Sequence, residues 1–132
     1  MANNYQESSS YLTLPEDKLD AAMEIVEKEM KKIEEDEDGY GYCGFTAEKE
    51  SNGIWFYGEE SIDVDHLEQA VREVIEQLEI DEPFYASWSY TCSKPRVDEF
   101  GGGAFAIVRG KPTVWIDAMS EVKNRCESLL DK

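Results

Sequence analysis

The sequence predicts an α+β fold, a mainly antiparallel sheet with helices packed on one face, related to a ferredoxin-like arrangement. Three observations carry that prediction. Apolar residues recur at helical 4-3-4 spacing in three separated stretches. Between them lie short runs of aromatic and β-branched residues, the composition of strands. Turn signals such as Asn52-Gly53 join neighbouring runs, as in hairpins. The expected order is β-α-β-β-α-β-β-β-α.

The first nine residues are polar and are expected to form a flexible N-terminus, with a single domain over 10–132. "SSYLTLP" alternates briefly and stops at Pro15, which predicts a short first strand. From Glu16, the positions Leu19, Met23, Val26, Met30 and Ile33 fall on one helical face. Glu16 and Asp17 suit the positive end of that helix, whereas the carboxylates of "EEDED" at 34–38 oppose its negative end before Gly39. Such a placement costs stability.

"GYCGFTAE" and "GIWFYGEE" predict strands near 40–48 and 53–59 around the Asn52-Gly53 turn. A second helix is expected from about Asp65, capped by Asp65 with Glu68 at its third position, and carrying Leu67, Val71, Val74 and Leu78 on one face. "FYASWSYTC", "GAFAIVRG" and "PTVWIDA" predict three more strands. The glycines at 101–103 form a loop between the first two, and Gly110-Lys111-Pro112 a turn between the second and third. A last helix from about Ala118 would align Met119, Val122, Cys126 and Leu129, with Asp117 as its cap.

Charge is the outstanding compositional feature. Thirteen Lys and Arg face thirty Asp and Glu, a formal net charge of -17, while hydrophobic residues still make up 41%. The chain can therefore fill a core, and its charge far exceeds the magnitude of about 2–8 that solubility requires. The excess is uneven: residues 1–90 hold 24 acidic and 6 basic side chains, a balance of -18, and residues 91–132 hold 6 and 7, a balance of +1. Broad contact with nucleic acid phosphates is disfavoured, and basic surfaces become the natural partners. No stretch approaches the roughly 18 apolar residues of a membrane span and no leader pattern opens the chain, so no membrane contact and a cytoplasmic location are expected.

Catalytic chemistry finds little support. His66 is the single histidine, and Cys43, Cys92 and Cys126 have no metal-ligand spacing, which predicts reduced thiols, no metal site and no cofactor. "FGGGAF" leads into a strand rather than a helix and so lacks the phosphate-loop signature.

Two binding readings remain. In the first, Glu34, Glu35, Asp36, Glu37, Asp38, Glu59 and Glu60 present carboxylates to a basic, nucleic-acid-binding protein surface and mimic the charge array of DNA. Exposed Tyr40, Tyr42 or Tyr57 would extend such a patch. In the second, Lys94 and Arg96, with Gly101, Gly102 and Gly103, and with Arg109 and Lys111 gathered at neighbouring strand ends, hold a small anionic metabolite or nucleotide. The structural reading of the same glycines, which is the favoured one, is a bulge, a positive φ or close backbone approach at the start of a strand. A third, structural role would use the helix stripes to seat a second copy, giving a homodimer.

The stretch "SWSYTCSKPRVDEFGGGAFAIV" with the following "VWIDA" resembles small acidic open reading frames of phages and prophages. The group brings no functional residue to carry over. What the resemblance implies is context: by class, such proteins are similar to inhibitors of host defence, including DNA-mimicking anti-restriction and anti-CRISPR proteins.

Overall fold

The structure, a computed structural model, describes residues 4–36, 44–58, 61–96 and 100–130. Its elements follow the expected order: β1 (Asn4–Thr13), α1 (Leu19–Asp36), β2 (Thr46–Glu50), β3 (Gly53–Gly58), α2 (Val64–Gln77), β4 (Phe84–Cys92), β5 (Gly101–Ile107), β6 (Val114–Asp117) and α3 (Ala118–Leu130). A 3-10 turn at Glu16–Lys18 precedes α1. The six strands lie in the order β2-β3-β1-β4-β5-β6, every neighbouring pair antiparallel. Its first four strands, with α1 and α2 as crossovers, reproduce the split β-α-β order of ferredoxin-like folds, and β5 and β6 extend the sheet on one side.

β1 is the organising strand. Ser8–Thr13 pair with β3, and Asn4–Ser8 pair with β4. The expectation of a flexible segment over residues 1–9 is therefore corrected from Asn4 onward. Backbone pairing, of Asn4–Ser8 with β4 and of Ser8 and Ser9 with β3, rather than apolar side chains, holds this polar stretch in place, and the Ser8 hydroxyl adds a hydrogen bond to the Ser87 carbonyl at 2.6 Å.

Of the predicted stripes, α1 buries Leu19, Val26 and Ile33 and α2 buries Leu67, Val71 and Val74, while Met23, Met30 and Leu78 are only partly buried; Ala22, Ala70 and Ile75 complete the buried faces. α2 starts one residue earlier than expected. Asp63, not Asp65, is its cap and accepts the His66 amide at 3.0 Å, because the bond from the Asp63 amide to the Gly44 carbonyl, 2.8 Å, already holds it in extended geometry. At the other end Glu79 adopts the left-handed conformation, φ 54°, and the Ile80 amide reaches back to the Ile75 carbonyl at 3.0 Å in a Schellman closure.

Packed aromatic rings run across the helix-covered face of the sheet. Phe45, Phe56, Phe84, Phe105 and Trp115 succeed one another with centroids 4.9–6.0 Å apart, the range in which tilted and edge-to-face pairs attract. Two elements depart from expectation. The glycines at 101–103 are not a loop but the opening residues of β5. α3, whose stripe was expected to face the core, has no buried residue. Among the described residues, no helix is long and apolar enough to cross a membrane.

Candidate functional site on the uncovered sheet face

α1 and α2 cover one face of the sheet, and among the described residues the other face is open. The period of two along each strand puts Glu7, Ser9 and Tyr11 of β1, Trp55 and Tyr57 of β3, and Tyr85, Ser87 and Ser89 of β4 on the open side. Beyond β4 the pairings Ser87 with Ala104 and Ala104 with Ile116 carry this face onto β5 and β6. Small side chains on three adjacent strands make a floor, and larger ones make walls. The result is a trough with two connected depressions that share Ser9 and Ser87. The larger, about 440 Å³, lies between Trp55, Tyr57, Glu7 and Ser89. The smaller, about 270 Å³, lies between Tyr85, Ala106, Val114 and Ile116.

The wall on β3 is stiff. Trp55 and Tyr57 stack with centroids 4.1 Å apart and planes 29° from parallel. The Trp55 indole donates to Ser9 Oγ at 2.8 Å, and the Tyr11 hydroxyl donates to Asn52. Rings locked in this way offer a π surface at little further entropic cost, and a cation laid on them gains from the ring quadrupole. Glu7 supplies the negative charge beside them.

Of the seven carboxylates expected to bind a partner, Glu34, Glu35 and Asp36 form the last turn of α1, whereas Glu37, Asp38, Glu59 and Glu60 lie outside the described residues. That last turn contains no cation, so its charge is left standing at the negative end of the helix. Because α1 runs back from the end of β1 to the start of β2, its terminus shares one end of the domain with Glu7 and with Gly58, which closes β3. Tyr57 is half-buried in the trough wall against Trp55; Tyr40 and Tyr42 lie outside the described residues.

The cations are not brought together. The register pairs Phe84 with Ile107 and Tyr90 with Gly101. Lys94 and Arg96, which follow β4, therefore stand at the opposite end of β5 from Arg109 and Lys111, roughly 20 Å away at strand rise. Arg109 instead pairs with Asp81 at 2.5 Å and Glu79 at 3.7 Å. Gly101, Gly102 and Gly103 belong to the sheet ladder. A Cβ on Gly103 would stand 2.6 Å from Trp88 Cζ2, and one on Gly101 would stand 3.6 Å from the Tyr90 ring. A Cβ on Gly102 would meet the Trp88 carbonyl at 2.5 Å, so close backbone approach at Gly102 and room for the Trp88 ring at Gly103 call for glycine, whereas Gly101 is not crowded.

A second polar cluster is structural. Arg72 of α2 donates to Glu76 at 2.9 Å, to the Val108 carbonyl at 3.0 Å and to Thr113 Oγ1 at 2.7 Å, while Thr113 donates to Glu68 at 2.7 Å. This fastens the β5–β6 turn to the helix layer. Glu76 also accepts the Gly110 amide at 2.8 Å, and that bond, followed by the Arg72 guanidinium, holds its carboxyl below the ordinary value of 4.5. Among the described residues no three His, Cys, Asp or Glu are placed to hold a metal ion. His66 Nδ1 sits 3.3 Å from the capping Asp63.

No protein-family model, curated protein or solved structure matches the chain. The trough floor, Ser9, Ser87, Ser89, Ala104 and Ala106, escaped sequence reasoning. Its one signal was the alternation in "YASWS", where Ser87 and Ser89 alternate with the apolar Ala86 and Trp88.

Proposed function

We propose that this chain is a binding protein that occupies a basic, nucleic-acid-binding surface of another protein. The observation that carries the reading is the stacked Trp55–Tyr57 pair beside Glu7 on an uncovered sheet face, in a chain of net charge -17. Guanidinium groups stack on such rings while pairing with a neighbouring carboxylate, and ammonium groups use the same faces less selectively. The surrounding field steers a positive partner toward the trough and resists phosphate. A surface built to follow one charge per roughly 1.7 Å of duplex is the basic surface best matched to it. The resemblance to phage reading frames favours a host defence or DNA-binding protein as its owner.

Affinity capture from a bacterial lysate, with and without competing duplex DNA and across a salt series, tests the proposal. Retained proteins should bind nucleic acid, should be released by both DNA and salt, and should be lost from Trp55→Ala. Capture indifferent to DNA, salt and Trp55 would overturn it.

A further inference from the structure

α3 poses a stability problem. It is a 13-residue helix with no buried residue, and an isolated helix of that length is marginal in water. Its apolar stripe nonetheless stands in solvent: Leu129 is 70% and Leu130 77% exposed, with Met119 and Val122 more than half exposed. No described residue of its own domain covers it.

The core is also open at the same place. The row of rings that crosses the sheet ends at Trp115, which is 42% exposed, on a strand whose other apolar members, Val114 and Ile116, are exposed too. Beside Trp115, at a centroid distance of 6.1 Å, Trp88 buries its indole N–H with no acceptor among the described residues. Among the described residues β6 is the sheet edge and carries a row of backbone groups without a neighbouring strand. Natural edges are normally blunted by charge. The opposite edge, β2, is blunted in this way: its Glu48, Lys49 and Glu50 are exposed, and Lys49 pairs with Asp20 of α1 at 2.8 Å. β6 has no Lys, Arg or Glu, and Asp117, its last residue, is taken up in capping α3 through the Ser120 amide at 3.0 Å.

Charge identifies the occupant. Across residues 114–130 the chain holds Asp117, Glu121 and Glu127 against Lys123 and Arg125, a balance of -1, within a molecule of -17. A strongly basic partner would be drawn to the acidic two-thirds of the chain. A second equally acidic copy meets least repulsion on this face, where each α3 offers both signs to the other. We infer that two copies of this chain associate here, β6 pairing antiparallel with β6 across a twofold axis and each α3 covering the apolar edge of its partner. Ala118 follows Asp117 without a linker, so pairing of the strands carries both helices into the contact. Both core openings are then sealed by one isologous interface.

Analytical ultracentrifugation of the full chain over the micromolar range, at low and high salt, tests this. The expected species has twice the chain mass of 15.1 kDa and is tightened by salt, because screening relieves the repulsion between the acidic bodies. Partner capture under the proposed function responds to salt in the opposite direction, so the two readings fail separately. Ile116→Lys and Leu129→Glu should each weaken association at least tenfold while retaining a cooperative melt. If Ile116→Lys does not fold, Leu129→Glu decides. A monomer at every concentration, or a dimer indifferent to these substitutions, overturns the inference.

Discussion

Trp88 and Gly103 face each other across β4 and β5, with the indole lying where any other residue at 103 would place its side chain. A methyl group there meets the Trp88 ring and the backbone carbonyl of Ile116, and overpacking of this kind costs about 1–3 kcal/mol. Gly103→Ala should therefore lower stability by that amount in urea melts. Gly101→Ala, whose methyl group would make ordinary contact with Tyr90 at 3.6 Å, should cost much less. Equal losses would contradict the packing account of the glycines.

Glu76 makes stability depend on acid. Its carboxyl is held below 4.5, first by the Gly110 amide and then by Arg72, so its contribution is complete above its unfolded value and is lost as pH falls through the lower folded value. Glu76→Gln should melt below the wild type at pH 7. The gap between their melting temperatures should narrow as the pH drops below 4.5. A gap that is constant with pH would remove Glu76 from the acid response.

Glu79 occupies a left-handed conformation, φ 54°, that suits glycine at the position after a helix. Relief of that strain is worth about 1–2 kcal/mol, offset in part by the greater freedom of glycine in the unfolded chain. Glu79→Gly is expected to raise stability by roughly 0.5–1 kcal/mol in chemical denaturation. A loss would show that the 3.7 Å contact with Arg109 outweighs the strain.

Glu35 separates stability from binding. It is exposed in the last turn of α1, where no cation answers the helix dipole. Glu35→Lys should stabilise the fold by about 0.3–1 kcal/mol and at the same time weaken capture of a basic partner. Comparing melting temperature with affinity on one sample checks both signs.

The element order was legible because helix and strand periods are local properties. The stripe from Leu19 to Ile33 and the alternation in "FYASWSYTC" needed no tertiary information. What escaped reading depended on neighbours across the sheet. Glu7 and Ser9 look like tail residues until β3 and β4 flank them. Gly101 to Gly103 look like a loop until Trp88 and Tyr90 lie against them. Lys94 and Arg109 look like neighbours because they bracket adjacent strands, yet antiparallel pairing sends them to opposite ends. The stripe of α3 was legible as apolar, but apolarity does not say whose surface it meets. The trough was least visible of all, since a concave floor is made by residues too small to signal burial.

The unlike edges of the sheet set a limit on growth. A sheet with two receptive edges can add chains without end and passes into fibres. Here the charged β2 edge, with Lys49 held to Asp20, disfavours addition, and in the proposed pairing β6 is the edge that accepts it. Association that consumes β6 leaves a β2 edge at each extremity, so the assembly terminates itself at the first step and an edge made of Val114, Trp115 and Ile116 need not become an aggregation hazard.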